Sequence, residues 1–156
     1  MRVARRRRAE RFYACGALEW FRAARSTRTL GADMSNAGSQ AYKFYEEVAR
    51  NGALWFAENS AGTAREFDLS NGKVSFPLWS SESRIKRLRK LNPKILGGFE
   101  PRQMSWASFK DVLVPILRNK QRVVGVNLSG PELSGFDISV ESVIRQVEGV
   151  RRAIGA

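Results

Sequence analysis

The stretch EFDLSNGKVSFPLWSSESRIKRLRKLNP, residues 66–93, decides the fold class. Two short apolar runs, 66–69 and 74–79, flank Ser70-Asn71-Gly72-Lys73. Asn-Gly between such runs is a strong hairpin signal, because both central residues of a type I′ turn take positive φ. Ser80 or Ser81 can then cap a helix over 82–91, which stops before Pro93 because the residue ahead of a proline is pushed out of the α region. A strand hairpin running straight into an amphipathic helix already points to a mixed architecture.

The rest of the chain extends this pattern in both directions. Behind Ser39 as an N-cap, Ala41, Phe44, Tyr45 and Val48 recur at helical spacing, and Asn51-Gly52 closes the segment. Residues 53–58 (ALWFAE) read as a strand, so a three-strand meander is expected over 53–79. Gly97-Gly98 makes a loop, and 99–104 reads as a short edge strand, since Pro101 cannot donate to a ladder. Ser105 caps a helix with Trp106, Phe109, Val112, Leu113, Ile116 and Leu117 on its apolar face, bent near Pro115. Residues 122–128 (RVVGVNL) read as a buried strand, and 136–138 lead into a last helix capped by Ser139, with Val140, Val143, Ile144, Val147 and Val150 inward. The order α, β, β, β, α, β, α, β, α lacks the alternation of a doubly wound fold. It predicts an α+β domain: a small, mainly antiparallel sheet with helices packed on it.

Length and charge set the organisation. The 156 residues, 43% of them hydrophobic, suit one globular domain. With a mean hydropathy of −0.36 and no apolar run of membrane-spanning length, the domain is expected to be cytoplasmic and to engage no membrane. The net charge of +12 is unevenly spread: residues 1–33 carry nine Arg, no Lys and three acids, a net +6 from about a fifth of the length. This composition break ahead of Met34 marks residues 1–33 as an Arg-rich leader, expected to be disordered or to precede a true or alternative start at Met34. A targeting segment and a basic arm that grips phosphate are the rival readings of it. Residues 34–156 form the expected single domain.

Residue types exclude much chemistry. The chain has no His, and its one Cys, Cys15, lies in the leader. A Ser-His-Asp arrangement, a thiolate nucleophile in the domain, a CxxC pair and a structural zinc site are therefore ruled out. No Gly-rich phosphate loop occurs. Catalytic residues, metal ligands and cofactors are accordingly assigned to none. What remains for an enzyme is carboxylate chemistry, a hydrolase or lyase with Glu66, Asp68 or Asp137 as base, favoured only if these acids converge in a cleft.

The best positive signal is the basic helix. Arg84, Lys86, Arg87, Arg89 and Lys90, followed by Lys94, leave Ile85, Leu88 and Leu91 as its inward stripe. Such a helix can lie along a phosphate backbone, although the run lacks aromatic residues that would stack bases. Trp79, at the end of Phe76-Pro77-Leu78-Trp79, is a core residue by default; exposed beside Ser80, Ser81 and Arg84, it would build a recognition pocket. The expected function is an interaction module without catalytic machinery that binds another protein through Trp79, Ser80, Arg84, Lys86, Arg87, Arg89 and Lys90. A nucleic-acid-associated protein using residues 84–94 is the alternative.

A helix with Tyr42 and Phe44-Tyr45, a strand bearing Trp55, the Phe76-to-Ser80 strand end, the basic helix, a Trp106/Phe109 helix running into Val114-Pro115-Ile116-Leu117, and the strand Val124-Gly125-Val126-Asn127 occur here in order. Together they resemble a bacterial family of uncharacterised proteins, domain of unknown function 2750, over about residues 38–150. The resemblance implies a small, single-domain, cytoplasmic α+β architecture and assigns no activity or catalytic residues.

Overall fold

The structure, a computed structural model, describes residues 3–5 and 32–156, with side chains from residue 36 onward. Its elements are β1 (Val3–Arg5), α1 (Ala32–Asn51), β2 (Ala53–Asn59), β3 (Phe67–Leu69), β4 (Val74–Leu78), α2 (Glu82–Leu91), α3 (Pro93–Leu96), β5 (Phe99–Ser105), α4 (residues 106–119), β6 (Val123–Ser129), β7 (Ser134–Ile138) and α5 (Val140–Ile154). The α+β class holds. Apart from β1 and the first residues of α1, the expected leader lies outside the described residues.

Five strands form one sheet in the order β1-β3-β4-β6-β7, and β2 and β5 form a second, two-stranded sheet. β3 and β4 make the hairpin, with Phe67 opposite Ser75. Its turn is not type I′: only Gly72 has positive φ, at 83°, and its N–H closes on Leu69 O at 3.1 Å. The Asn71 side chain accepts from Lys73 N at 3.0 Å, which fits a three-residue loop ending in a left-handed glycine. β4 runs parallel to β6, and β6 antiparallel to β7. The expected meander does not form. Instead β2 pairs with β5 in antiparallel register over all seven residues, from Ala53 opposite Ser105 to Asn59 opposite Phe99. The two sheets are joined where Trp55 and Trp79 exchange both backbone hydrogen bonds, each at 2.8 Å.

α1 begins a full turn or more before the expected cap at Ser39. Ala37 packs on the core one turn ahead of Ala41, so the apolar face extends in that direction. Gly52, at φ 66°, ends the helix as its spacing implied. Ser105 and Ser139 cap α4 and α5, their hydroxyls each accepting at 3.1 Å from Ser108 N and Ser142 N.

α4 departs most from its sequence pattern. It opens as α-helix (Trp106–Ser108), widens to a π-turn (Phe109–Leu113), and returns to α-helix (Val114–Asn119). Val114 N donates to Phe109 O, five residues back. The wide turn sits directly before Pro115, where a regular helix would set the pyrrolidine ring against the carbonyl four residues earlier. The extra residue per turn also rotates the helix face. Trp106, Phe109, Leu113 and Leu117 remain buried, while Val112 and Ile116, expected inward, are exposed at 57% and 45%.

Two cores result. The larger lies between the five-stranded sheet and α1, α4 and α5, where Phe44, Tyr45, Trp106, Phe109, Val124, Val126, Phe136 and Val143 are buried together. Burial of Tyr45 pushes its phenol well above the ordinary range by desolvation. The smaller packs Ile85, Leu88 and Leu96 of α2 and α3 over Phe67, Trp79, Leu128 and Leu133. At its edge the buried Arg65 guanidinium faces the rings of Phe67 and Phe99 at 5.5 and 5.2 Å, and desolvation lowers its pKa.

Candidate functional site

α2 is fixed to the domain on two sides, and these anchorages determine which of its basic residues face outward. Ile85 and Leu88 are buried, as a three-residue step predicts, but Leu91 is not: it is exposed at 50%. The helix ends at Leu91, with Asn92 N closing on Leu88 O at 2.8 Å, so the inward stripe has no third position and Leu91 projects beyond the smaller core.

On the side facing α1, Arg84 Nη1 donates to Gln40 Oε1 at 2.7 Å and its Nη2 to Glu47 Oε1 at 3.5 Å. Glu47 also accepts from the Ser80 hydroxyl. Ser80, 3% exposed, is held further by Asn127: Ser80 N donates to Asn127 Oδ1 at 2.9 Å, and Asn127 Nδ2 donates to Ser80 Oγ at 3.0 Å and to Gln40 O at 3.1 Å. Asn127 is fully buried at φ 43°, where the β6–β7 ladder shifts register. Five side chains from α1, the β4 end, α2 and β6 thus form one polar knot. Its role is to place α2.

On the opposite side, Arg89 Nη1 pairs with Glu100 Oε2 of β5 at 3.0 Å. Lys86 pairs along the helix with Glu82 at 2.9 Å. Among the described residues Arg87, Lys90 and Lys94 form no ion pair, and all three are exposed. Of the six cations counted in the sequence, three are therefore paired locally, and the other three lie within four positions of Leu91 in the chain.

Trp79 belongs to the smaller core. It is 0% exposed and its indole Nε1 donates to Leu128 O at 3.0 Å, so it forms no surface pocket. Phe76 and Leu78 are buried as well, so the apolar side chains of this strand end pack inside the domain.

The acids do not converge. Glu66 sits beside Arg122 at 3.3 Å, ahead of β3, which carries Asp68. Asp137 lies on β7 and its carboxyl accepts from the Ser75 hydroxyl of β4, with β4 and β6 between its own strand and β3. Among the described residues no group of His, Cys, Asp or Glu could hold a metal, and no helix is long and apolar enough to cross a membrane.

Sequence reasoning assigned Asn127, Glu47 and Gln40 no part in this site. A signal existed for Asn127, the one polar side chain inside the apolar run of 123–128. Glu47 and Gln40 carry no local mark, since only the packing of α1 against α2 brings them to Ser80 and Arg84.

A family model described as a protein of unknown function, DUF2750, matches residues 41–147, which contain every element from α2 to β7 and nearly all of this site. The chain belongs to the DUF2750 family. All five members of the polar knot except Gln40 fall inside the matched DUF2750 region. No curated protein and no solved structure matches the chain.

Proposed function

We propose that this DUF2750 protein is a binding module that takes an acidic protein segment carrying an apolar side chain on the outer face of α2. The observation that carries this reading is Leu91, half exposed in a segment whose Arg87, Lys90 and Lys94 are also exposed and form no ion pair among the described residues. An apolar centre with a cationic rim suits a peptide that offers both a hydrophobic side chain and carboxylates, since apolar burial supplies affinity while the rim steers and orients. A phosphate backbone makes no use of Leu91. It would also meet a helix whose Arg84, Lys86 and Arg89 are already engaged by Glu47, Glu82 and Glu100, and whose face offers no aromatic side chain for stacking.

Fluorescence anisotropy on the full chain tests this with three labelled probes: a Glu/Leu peptide, a Glu/Ser peptide of equal charge and length, and a DNA duplex. The Glu/Leu peptide should bind about tenfold tighter than the Glu/Ser peptide, the worth of one buried leucine side chain, and the charge-neutral Leu91→Ser should remove most of that difference. Equal affinity for the two peptides, indifferent to Leu91→Ser, overturns the reading. Tighter, steeply salt-dependent duplex binding lost in Arg87→Ala and Lys90→Ala would favour nucleic acid instead.

A further inference from the structure

We propose that a second site, on the other side of the five-stranded sheet's end from α2, binds a small amphiphilic anion: a carboxylate or sulfonate on a compact apolar body. A cleft of about 410 Å3 lies between the turn after β2, Glu66 and the C-terminal part of α4, within the roughly 300–1,000 Å3 of small-ligand sites. Its apolar lining is Phe76 and Leu117 of the larger core together with Ile116. Ile116 is 45% exposed because the π-turn rotates it off the core face, which leaves a branched apolar side chain facing open space beside the cleft.

The polar lining is cationic. Arg122 and Glu66 face each other at 3.3 Å with side chains only 14% and 18% exposed. Arg122 spends Nε on Glu66 and Nη1 on Lys120 O at 3.1 Å, and its Nη2 makes no hydrogen bond among the described residues. Lys120, exposed at the same edge, forms no ion pair among them. A guanidinium fork already oriented by two bonds holds its remaining donors in place, and carboxylates and sulfonates accept from such a donor strongly. Two bases, Lys120 and Arg122, outnumber the one acid in this lining, so the cleft presents a net cationic wall. An apolar wall plus one available cationic donor set selects a monoanion with a hydrophobic body over both a neutral lipid and a polyanion.

The test uses the full chain and 8-anilinonaphthalene-1-sulfonate, whose fluorescence rises in an apolar site, with octanoate and octan-1-ol as competitors. Octanoate should displace the probe at a concentration about tenfold lower than octanol does, because the chain length is matched and only the charge differs. Ile116→Trp, which fills the cleft from an exposed position, should abolish probe binding without altering the far-UV circular dichroism or the urea unfolding midpoint. Arg122→Gln should weaken it, and where that variant unfolds because Glu66 loses its counter-ion, Lys120→Gln serves as the charge test. Arg118→Gln, on the same helix but paired with Glu141 outside the cleft, should leave binding unchanged. Full binding by Ile116→Trp, equal competition by octanol, or equal loss in Arg118→Gln overturns the proposal.

Discussion

Asn127 and Ser80 hold each other by reciprocal hydrogen bonds, Ser80 N to Asn127 Oδ1 at 2.9 Å and Asn127 Nδ2 to Ser80 Oγ at 3.0 Å. The orientation of the amide is forced, since the Ser80 N–H can only donate and the Gln40 carbonyl, at 3.1 Å, can only accept. Asn127 also tolerates its positive φ, which few side chains do. Asn127→Ala should therefore cost about 2–4 kcal/mol, from the buried Ser80 N–H left without its acceptor, the lost bonds to Ser80 Oγ and Gln40 O, and left-handed strain. Asn127→Gly should cost less, because it loses the same bonds without the strain. Urea unfolding midpoints at unchanged m-value check the order of the two variants.

Glu148 of α5 joins that helix to α4, accepting from Trp106 Nε1 at 2.6 Å and from Lys110 Nζ at 2.8 Å. The bonds from Lys110 and then Trp106 hold its carboxyl below the usual carboxylate range. Because its folded pKa lies below its unfolded value, Glu148 stabilises the fold above pH of about 4.3 and ceases to do so as the pH falls through the depressed value. Glu141, held low by Arg118, adds to the same acid limb. Glu148→Gln should lower the melting temperature at pH 7 and converge on the parent as the pH falls through the depressed value. Parallel thermal melts of the two proteins across this range check it; a constant offset at every pH would contradict the charge argument.

Gly97 carries an ordinary negative φ of −61°, so its requirement for glycine is spatial. A Cβ there would lie 2.2 Å from the carbonyl oxygen of Pro93, a backbone atom held in α3. Gly97→Ala should destabilise by about 1–3 kcal/mol through displacement of the Pro93–Leu96 turn and of Leu96 in the smaller core. Gly149→Ala, in α5, meets nothing within 4 Å and should be neutral or stabilising. Chemical denaturation of both variants separates steric from propensity effects.

The elements themselves were largely legible, because each rests on local chemistry: Asn51-Gly52 ends α1, Ser105 and Ser139 cap α4 and α5, and Asn71-Gly72 turns the hairpin. Their partners were less so. Residues 53–58 read equally well as the first strand of a meander, and nothing in their own spacing points to residues 99–105, more than forty positions away. The face of α4 was misread at Val112 and Ile116 because helical periodicity assumes an unbroken α-helix, and the π-turn inserts a residue. At the site, the basic helix was visible, but which cations remain available depended on Glu47 and Glu100, both brought in by tertiary packing. The same packing buries Trp79, in line with its default reading as a core residue, and exposes Leu91, which the helical stripe placed inward.

β5 is an edge strand, and Pro101 lies where its missing N–H matters on the open side only. Trp55 turns both its backbone groups toward Trp79, and Ala57 turns its carbonyl to Arg65 N at 2.8 Å, so neither addresses the β5 residue opposite it. Pro101, opposite Ala57, therefore points its ring nitrogen away from β2 and gives up no ladder bond. The open edge, in contrast, loses one donor at its centre, with charged Glu100 and Arg102 on either side. Proline and flanking charge are the devices by which edge strands resist pairing with other chains. Pro101→Thr should keep monomer stability within about 1 kcal/mol, because the β2–β5 ladder is untouched and threonine favours strands. It should also increase concentration-dependent association in light scattering above that of the parent protein. Unchanged association, or a large loss of stability, would show that Pro101 serves the internal ladder rather than the edge.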